Sequence, residues 1–383
     1  MTGTFIVILL SGLFLSFSNG GNDNFKGVAT LLGSKTTSYK FALTWATITT
    51  FAGSITAFFL AQKLMVNFSG KGIVPDAVVQ MSAFSISVAL AAAATVIIAT
   101  RFGFPISTTH AITGALVGAG ILASAEGVNS AKLFSNFFLP LLVSPVIAIL
   151  SAYLFYPLFR MVRIKLNINR KSCLCIGKEV VAPAPQALLT QLTSGGATAA
   201  VLNIKNFPAI SVGTTISCEE RYVGHVWGIN AKTFLDTVHF LSSGLVSFAR
   251  GLNDTPKIAA LLLIGNTIAP MHAIALTGMA IALGGVLMAK RIAETMSFQI
   301  TKMNDGQGVT ANLITSAVVI GASQLGLPVS TTHVSCGALF GIGTITRQAQ
   351  WGGILKIVSS WLITLPVACT LGYFSFMILK GVL

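Results

Sequence analysis

The stretch Gly103-Phe104-Pro105-Ile106-Ser107-Thr108-Thr109-His110 returns, nearly unchanged, as Gly326-Leu327-Pro328-Val329-Ser330-Thr331-Thr332-His333. Each copy reads proline, three hydroxyl side chains and a histidine, and leads into a run rich in Gly and Ala: Ala111 to Gly120, and Val334 to Gly343. Proline lacks an N–H and fixes φ, Ser and Thr cap free backbone N–H groups, and a helix start carries a positive partial charge. The pattern predicts a helix start that can hold an anion with hydroxyls and backbone N–H groups, without a side-chain cation. A single copy reads as an ordinary capped helix. Two copies in so apolar a chain point to an oxyanion carried through a membrane, with Ser107, Thr108, Thr109, Ser330, Thr331 and Thr332 as the candidate anion ligands.

Of 383 residues, 54% are hydrophobic and 9% charged, and the mean hydropathy is +0.81. Soluble proteins carry about 25% charged residues. The chain is therefore read as an integral membrane protein, and its long apolar runs favour helices over a barrel. The net charge of +14, from 24 Lys+Arg against 10 Asp+Glu, is attributed to a cytoplasmic bias rather than to nucleic acid. The five cysteines, Cys173, Cys175, Cys218, Cys336 and Cys369, fit no zinc or redox spacing and are read as free thiols. Met1 to Phe17 has no positive n-region and no cleavage site, and is read as the first membrane helix rather than a signal.

Apolar runs cover about 4–18, 25–34, 41–62, 77–100, 104–122 and 135–159, then 231–249, 255–264, 270–289, 309–325, 328–345 and 352–379. Between them lies a polar stretch that opens with Arg160, Arg163, Lys165, Arg170, Lys171 and Lys178 and includes β-prone pieces such as Ala209 to Ser217. The division expected is a membrane repeat at 1–162, a basic cytoplasmic connector with short strands at 163–230, and a second repeat at 231–383. Interruptions are expected at Ser18 to Asn24 and at Arg250 to Pro256, because unwound backbone at membrane depth lines a site. Segments 77–100 and 104–122 can pair as a re-entrant hairpin. Each half then crosses three times, or five without the hairpin, and an odd number inverts one half relative to the other. Placing both termini outside puts Lys35, Lys40, Arg101, the connector, Lys290, Arg291, Lys302 and Arg347 in the cytoplasm and leaves Lys71, Lys132 and Lys380 outside, as the positive-inside rule requires.

A second motif is also duplicated: Asn22-Asp23-x-x-Lys26 and Asn253-Asp254-x-x-Lys257. It recurs after 231 residues and the Pro-Ser-Thr motif after 223, in the same order. Carboxylates and lysines are expensive at membrane depth, so Asp23 with Lys26 and Asp254 with Lys257 are expected either to neutralise one another or to serve a cation or proton. Arg250, four residues before Asp254, has Asn19 as its counterpart; it can grip the anion with a bidentate fork or sit at the connector side. His110 and His333 read as struts rather than relays. Glu126 and Glu294 read as solvated, and Asp236 with His239 as a capping or packing pair.

Gly-x-Asn-Asp followed by Pro-x-Ser-Thr-Thr-His, once in each half, resembles the inorganic phosphate transporter (PiT) family of sodium- or proton-coupled phosphate symporters, which includes some sulfate permeases. The matching residues are Gly21-Asn22-Asp23 with Pro105 to His110, and Leu252-Asn253-Asp254 with Pro328 to His333. The resemblance covers both membrane halves and not the connector at about 165–225. It implies that the six hydroxyl residues surround the anion, that Asn22, Asp23, Asn253 and Asp254 lie at cation sites able to take sodium, and that the protein is a homodimer. Family members commonly read Asn-Asp-x-x-Asn, where this chain has Lys26 and Lys257. A fixed ammonium there leads us to expect proton coupling or a reduced sodium stoichiometry. The family also commonly carries His where Arg250 stands.

The resulting expectation is a polytopic all-α membrane protein of two inverted repeats with discontinuous helices. It would be a secondary transporter of phosphate coupled to sodium or protons in the plasma membrane, with alternating access and no other cofactor. Sulfate is the alternative cargo; an acceptor such as Asp23 or Asp254 reaching the anion would select phosphate, whereas a site of donors alone would suit sulfate. A passive anion channel is disfavoured by intramembrane carboxylates. An enzyme is disfavoured because Ser107 and His110 lack a carboxylate orienter nearby in sequence, and no nucleotide motif is present.

Overall fold

The computed structural model describes residues 2–169, 172–177, 180–181, 203–204, 209–214, 227–263 and 268–382. Its first half contains α1 (Thr2–Asp23), a 3-10 turn (Asn24–Val28), α2 (Ala29–Gly33), α3 (Tyr39–Leu60), α4 (Gln62–Phe68), α5 (Asp76–Val79), α6 (Ser82–Phe102), α7 (Thr108–Ala123), α8 (Ser130–Leu133), a π turn (Phe134–Phe138) and α9 (Leu139–Lys165). The second half contains α10 (Ala231–Leu262), α11 (Pro270–Met288), α12 (Lys290–Phe298), α13 (Asp305–Leu325), α14 (Thr331–Ile345) and α15 (Trp351–Leu379). Seven segments of the described residues are long and apolar enough to cross a membrane, so the chain is an integral membrane protein whose membrane part is all-α. On α9, Leu142, Val146, Leu150 and Leu154 are each at least half exposed, a face suited to lipid.

One compact unit comprises Met1–Pro157 and His239–Leu383; the other comprises Leu158–Val238. The second unit holds a three-stranded antiparallel sheet in the order β4 (Ala209–Thr214), β1 (Ser172–Gly177), β5 (Trp227–Asn230), with a two-stranded pair of β2 (Val180–Val181) and β3 (Asn203–Ile204). The short strands expected in the connector are thus present. Arg170, Lys171, Lys178 and Cys218 lie outside the described residues. Cys173, Cys336 and Cys369 are free thiols.

Both membrane halves fall in one unit because their helices exchange partners. A methyl group at Gly20 of α1 would overlap the Ile281 carbonyl of α11, and one at Gly284 of α11 would overlap the Phe17 carbonyl. The same pair recurs between α10 and α3: Gly251 against the Thr50 carbonyl, Gly53 against the Phe248 carbonyl. All four positions and their partners correspond at a spacing of 231 residues. Likewise α7 sets Gly114 and Gly118 on the Leu365 and Cys369 carbonyls of α15, while α14 sets Gly337 and Gly341 on the Pro145 and Ile149 carbonyls of α9. Close approach at these glycines is what lets helices pack without a hydrophobic driving force in lipid.

The interruptions differ from those expected. Helix α1 runs without a break through Ser18 to Asp23, and the path tightens to 3-10 only from Asn24. The α10 helix passes straight through Arg250 to Pro256. Pro256 removes its own N–H from the ladder and crowds the carbonyl one turn earlier, yet the helix continues through it. The discontinuities instead fall at the Pro-Ser-Thr motifs. There α6 ends on Gly103 and α13 on Gly326, both at φ +75°, and new helices begin after Ser107 and Ser330.

Candidate anion and cation site

Each proline motif starts a helix as its sequence dictates. Ser107 caps α7, accepting from the His110 N–H at 3.2 Å, and Ser330 caps α14, accepting from the His333 N–H at 3.2 Å. Interrupting a helix frees backbone groups that must find partners inside the protein. The two Asn-Asp-x-x-Lys motifs supply them. Asn22 donates through Nδ2 to the Phe104 carbonyl at 3.0 Å and to Thr100 Oγ1 at 2.9 Å, and its Oδ1 accepts from the Ile106 N–H at 3.2 Å. Asn253 donates to the Val329 carbonyl at 3.2 Å, and its Oδ1 accepts from Ser323 Oγ at 3.2 Å.

The lysines go further and cross between halves. Lys26 Nζ faces Asn22 Oδ1 at 2.8 Å, the Ile106 carbonyl at 2.7 Å, Thr332 Oγ1 at 2.6 Å and the Asp23 carboxylate in close contact. Four oxygens thus surround an ammonium that has three hydrogens. Lys257 Nζ donates to the Val329 carbonyl at 2.7 Å and Thr109 Oγ1 at 2.8 Å, lies 3.5 Å from Asp254 Oδ1 and sits 5.5 Å from the Phe68 ring centre. Thr332 Oγ1 donates on to the Ile106 carbonyl at 3.0 Å and Thr109 Oγ1 to the Val329 carbonyl at 3.2 Å. Both Asp–Lys associations anticipated from the spacing are therefore present, and both ammonium groups are buried. Asn22 Oδ1 and Asp23 Oδ1, expected from the resemblance at a cation site, both face Lys26.

The remaining residues fall around this seam. Thr108 Oγ1 donates to Asp23 Oδ2 at 2.9 Å and accepts from Asn19 Nδ2 at 2.9 Å. The ring centres of His110 and His333 lie 4.5 Å apart, and Trp361 lies against His333 at 3.9 Å with the planes tilted by 32°. Nδ1 of His110 and Nε2 of His333 are buried without a hydrogen-bond partner, while the His333 ring also bonds the Leu141 backbone. Thr331 is buried. Arg250, 1% exposed, donates through Nη2 to Asn24 Oδ1 and Thr50 Oγ1, each at 3.0 Å. It is enclosed by helices rather than placed at a connector edge. Asp236 pairs with Lys232, one helical turn away on the same face, and His239 Nδ1 approaches Asp305 Oδ1 at 3.8 Å. Glu126 and Glu294 are exposed.

Sequence reasoning did not find Thr100, Ser323, Asn24, Thr50 or Trp361. Thr100 and Ser323 stand 223 residues apart, as do Ser107 and Ser330, so aligning the two repeats residue by residue would have exposed them. Trp361 and Thr50 carry no such signal; they reach the site through helix packing.

The model of the phosphate transporter family matches residues 19–372. Relatives include a protein named as a phosphate permease in Thermococcus kodakarensis (27% identical, covering 98% of this chain and 97% of the relative). Another is the chloroplastic inorganic phosphate transporter 2-1 of Arabidopsis thaliana (28% identical, 95% of this chain and 70% of the relative). A solved structure described as the sodium-dependent phosphate transporter shares the fold, with a TM-score of 0.74 at 23% identity over 100% of both chains. These are transporters and permeases, not enzymes. With a match that begins before the first Asn-Asp motif and ends in the last helix, the chain belongs to the phosphate transporter family.

Proposed function

We propose that this protein is a secondary transporter that carries inorganic phosphate across a membrane together with a cation. The observation that carries this reading is the meeting of the two Pro-x-Ser-Thr-Thr-His segments, tied by Thr332 to Ile106 and by Thr109 to Val329. Two capped helix starts, each with a positive end, would present hydroxyls and N–H groups to one tetrahedral anion. Ser107, Thr108, Thr109, Ser330, Thr331 and Thr332 are the proposed ligands, and the phosphate named for the relatives is the proposed cargo.

The architecture supports alternating access between inverted repeats at 1–162 and 231–383. Helices α7 and α14, of 16 and 15 residues, extend only about 24 and 22 Å, short of a bilayer core of about 30 Å; starts at mid-depth fit that length. Gly103 lies beside Arg291 and Thr295, and Gly326 beside Lys63. On the charge-based topology those neighbours sit on opposite sides of the membrane. The same topology puts both termini outside and the connector in the cytoplasm; the plasma membrane is the proposed location, and a homodimer, implied by the family resemblance, is the proposed assembly.

At the two cation cages the lysines serve as resident cations. Lys26 and Lys257 provide the charge that sodium would otherwise bring, so coupling runs on protons or on fewer sodium ions. The test is uptake of labelled phosphate into proteoliposomes under imposed sodium or proton gradients, with unlabelled sulfate as competitor. Accumulation driven by a cation gradient and little affected by sulfate is expected. Absence of uptake under both gradients would remove the symport reading, and accumulation of sulfate in place of phosphate would make the protein a sulfate permease.

A further inference from the structure

The two halves treat their carboxylates differently. Asp23 is saturated: Oδ1 contacts Lys26, and Oδ2 accepts from Asn19 Nδ2 at 2.8 Å and Thr108 Oγ1 at 2.9 Å. Asp254 Oδ1 accepts from Asn253 Nδ2 at 2.9 Å and faces Lys257, but its Oδ2 is buried without a partner. The place of Asn19, which completes Asp23, is taken in the second half by Arg250. That guanidinium turns Nη2 to Asn24 and Thr50 and leaves Nε and Nη1, both buried, without partners. Arg250 and Asp254 are four residues apart in the unbroken α10 and so share one face, yet no ion pair joins them. One helical turn therefore carries desolvated donors of a fixed cation beside a desolvated anionic acceptor.

Resting on the phosphate reading above, we propose that Arg250 and Asp254 are the specificity element for an oxyanion that still carries a proton. An unmatched N–H of Arg250 donates to an oxygen of the anion, and Asp254 Oδ2 accepts from its hydroxyl. Phosphate and arsenate near neutral pH keep at least one hydroxyl and satisfy both partners. Sulfate and selenate match them in shape but have none, and would set an oxygen lone pair against a buried carboxylate. A site that hydrogen-bonds a ligand hydroxyl rejects the analogue lacking it far more strongly than size alone can. The asymmetry also gives the arginine of the second half a task that the first half, with Asn19, does not have.

The experiment is displacement of labelled phosphate from the purified full-length protein by unlabelled phosphate, arsenate, sulfate and selenate, run in parallel with uptake in proteoliposomes. Phosphate and arsenate are expected to displace at concentrations at least about tenfold below sulfate and selenate. Asp254→Asn, which puts a donor where only an acceptor stood, should bring the four anions to within about twofold of one another, the discriminating contact being lost. Asp23→Asn, at the saturated carboxylate, should leave the phosphate-to-sulfate ratio unchanged even where it weakens binding. Arg250→Gln should weaken all four anions together. Equal displacement by sulfate in the wild type, or full discrimination retained in Asp254→Asn, overturns the proposal; the wild-type series decides even if a variant does not fold. Discrimination in binding without accumulation would fault the transport reading alone, and accumulation without discrimination would fault this element alone.

Discussion

Lys26 and Thr332 stand 306 positions apart in the chain and are joined by a hydrogen bond of 2.6 Å. The counterpart contact, Lys257 to Thr109, measures 2.8 Å. Each ammonium leaves the helix that bears it, takes the carbonyl freed by its own half's proline motif, and closes on a threonine of the other half. The seam between the halves is thus built from charge-assisted bonds in a desolvated setting, where they are strong and costly to break.

Lys26→Met leaves the Asp23 carboxylate buried without its cation and removes the donor to the Ile106 carbonyl. Breaking a buried pair by removing one partner costs about 3–5 kcal/mol. Unfolding of the purified variant in detergent should show a loss of that order. A stability equal to wild type would mean that the cage contributes nothing.

Replacing both lysines by the amide that family members commonly carry should open two cages to an alkali cation. The Lys26→Asn, Lys257→Asn double variant is expected to take up phosphate at least about tenfold faster in sodium than in matched choline, equivalent to about 1.4 kcal/mol of differential cation binding. Wild-type uptake should respond less. Identical sodium dependence in the two proteins would remove the resident-cation reading.

Asn22→Ala strips partners from the Phe104 carbonyl, the Ile106 N–H and Lys26 together. Each buried group so orphaned costs about 1–3 kcal/mol, so this variant should fall below Ser323→Ala, which removes one hydroxyl donor to Asn253. Thermal unfolding of both variants measures the order, and the reverse order would contradict the assigned bonds.

Gly20→Val and Gly251→Val both drive side-chain atoms into a backbone carbonyl of the opposing half. Overpacking of this kind costs about 1–3 kcal/mol, with larger losses where backbone must move. The two variants should be destabilised alike because their contacts correspond. Gly321→Ala, in α13 with open space around the added methyl, should instead raise stability by about 0.4–1 kcal/mol. Unequal losses at Gly20 and Gly251 would argue against equivalent packing.

The proposed topology can be read chemically. In whole cells carrying an otherwise cysteine-free protein, a membrane-impermeant maleimide should label Lys71→Cys and spare Lys35→Cys until the membrane is opened. The reverse pattern would invert the orientation. Lys132 Nζ lies by Gly72, and Arg291 contacts the Arg101 carbonyl, so each side of the charge-based assignment gathers residues that are neighbours in space.

The amino-acid sequence alone determined the class, the helices and the ingredients of the site. Long apolar runs can only be helices in lipid, and duplicated motifs at near-constant spacing locate what is used twice. It also paired Asp23 with Lys26 and Asp254 with Lys257, because residues three apart on a helix must meet. It misplaced the interruptions. Asn-Gly-Gly-Asn and Arg-Gly-Leu-Asn look like breakers by local propensity, but propensity is weak against packing, and α1 and α10 continue through them. Only the tertiary structure decided that each lysine crosses to the other half, that Arg250 turns to Asn24 and Thr50, and that Asp254 keeps one oxygen unmatched while Asp23 keeps none. Those outcomes depend on which helix lies against which, and that is set by glycine-mediated contacts between segments far apart in the chain, a separation over which local sequence carries no directional information.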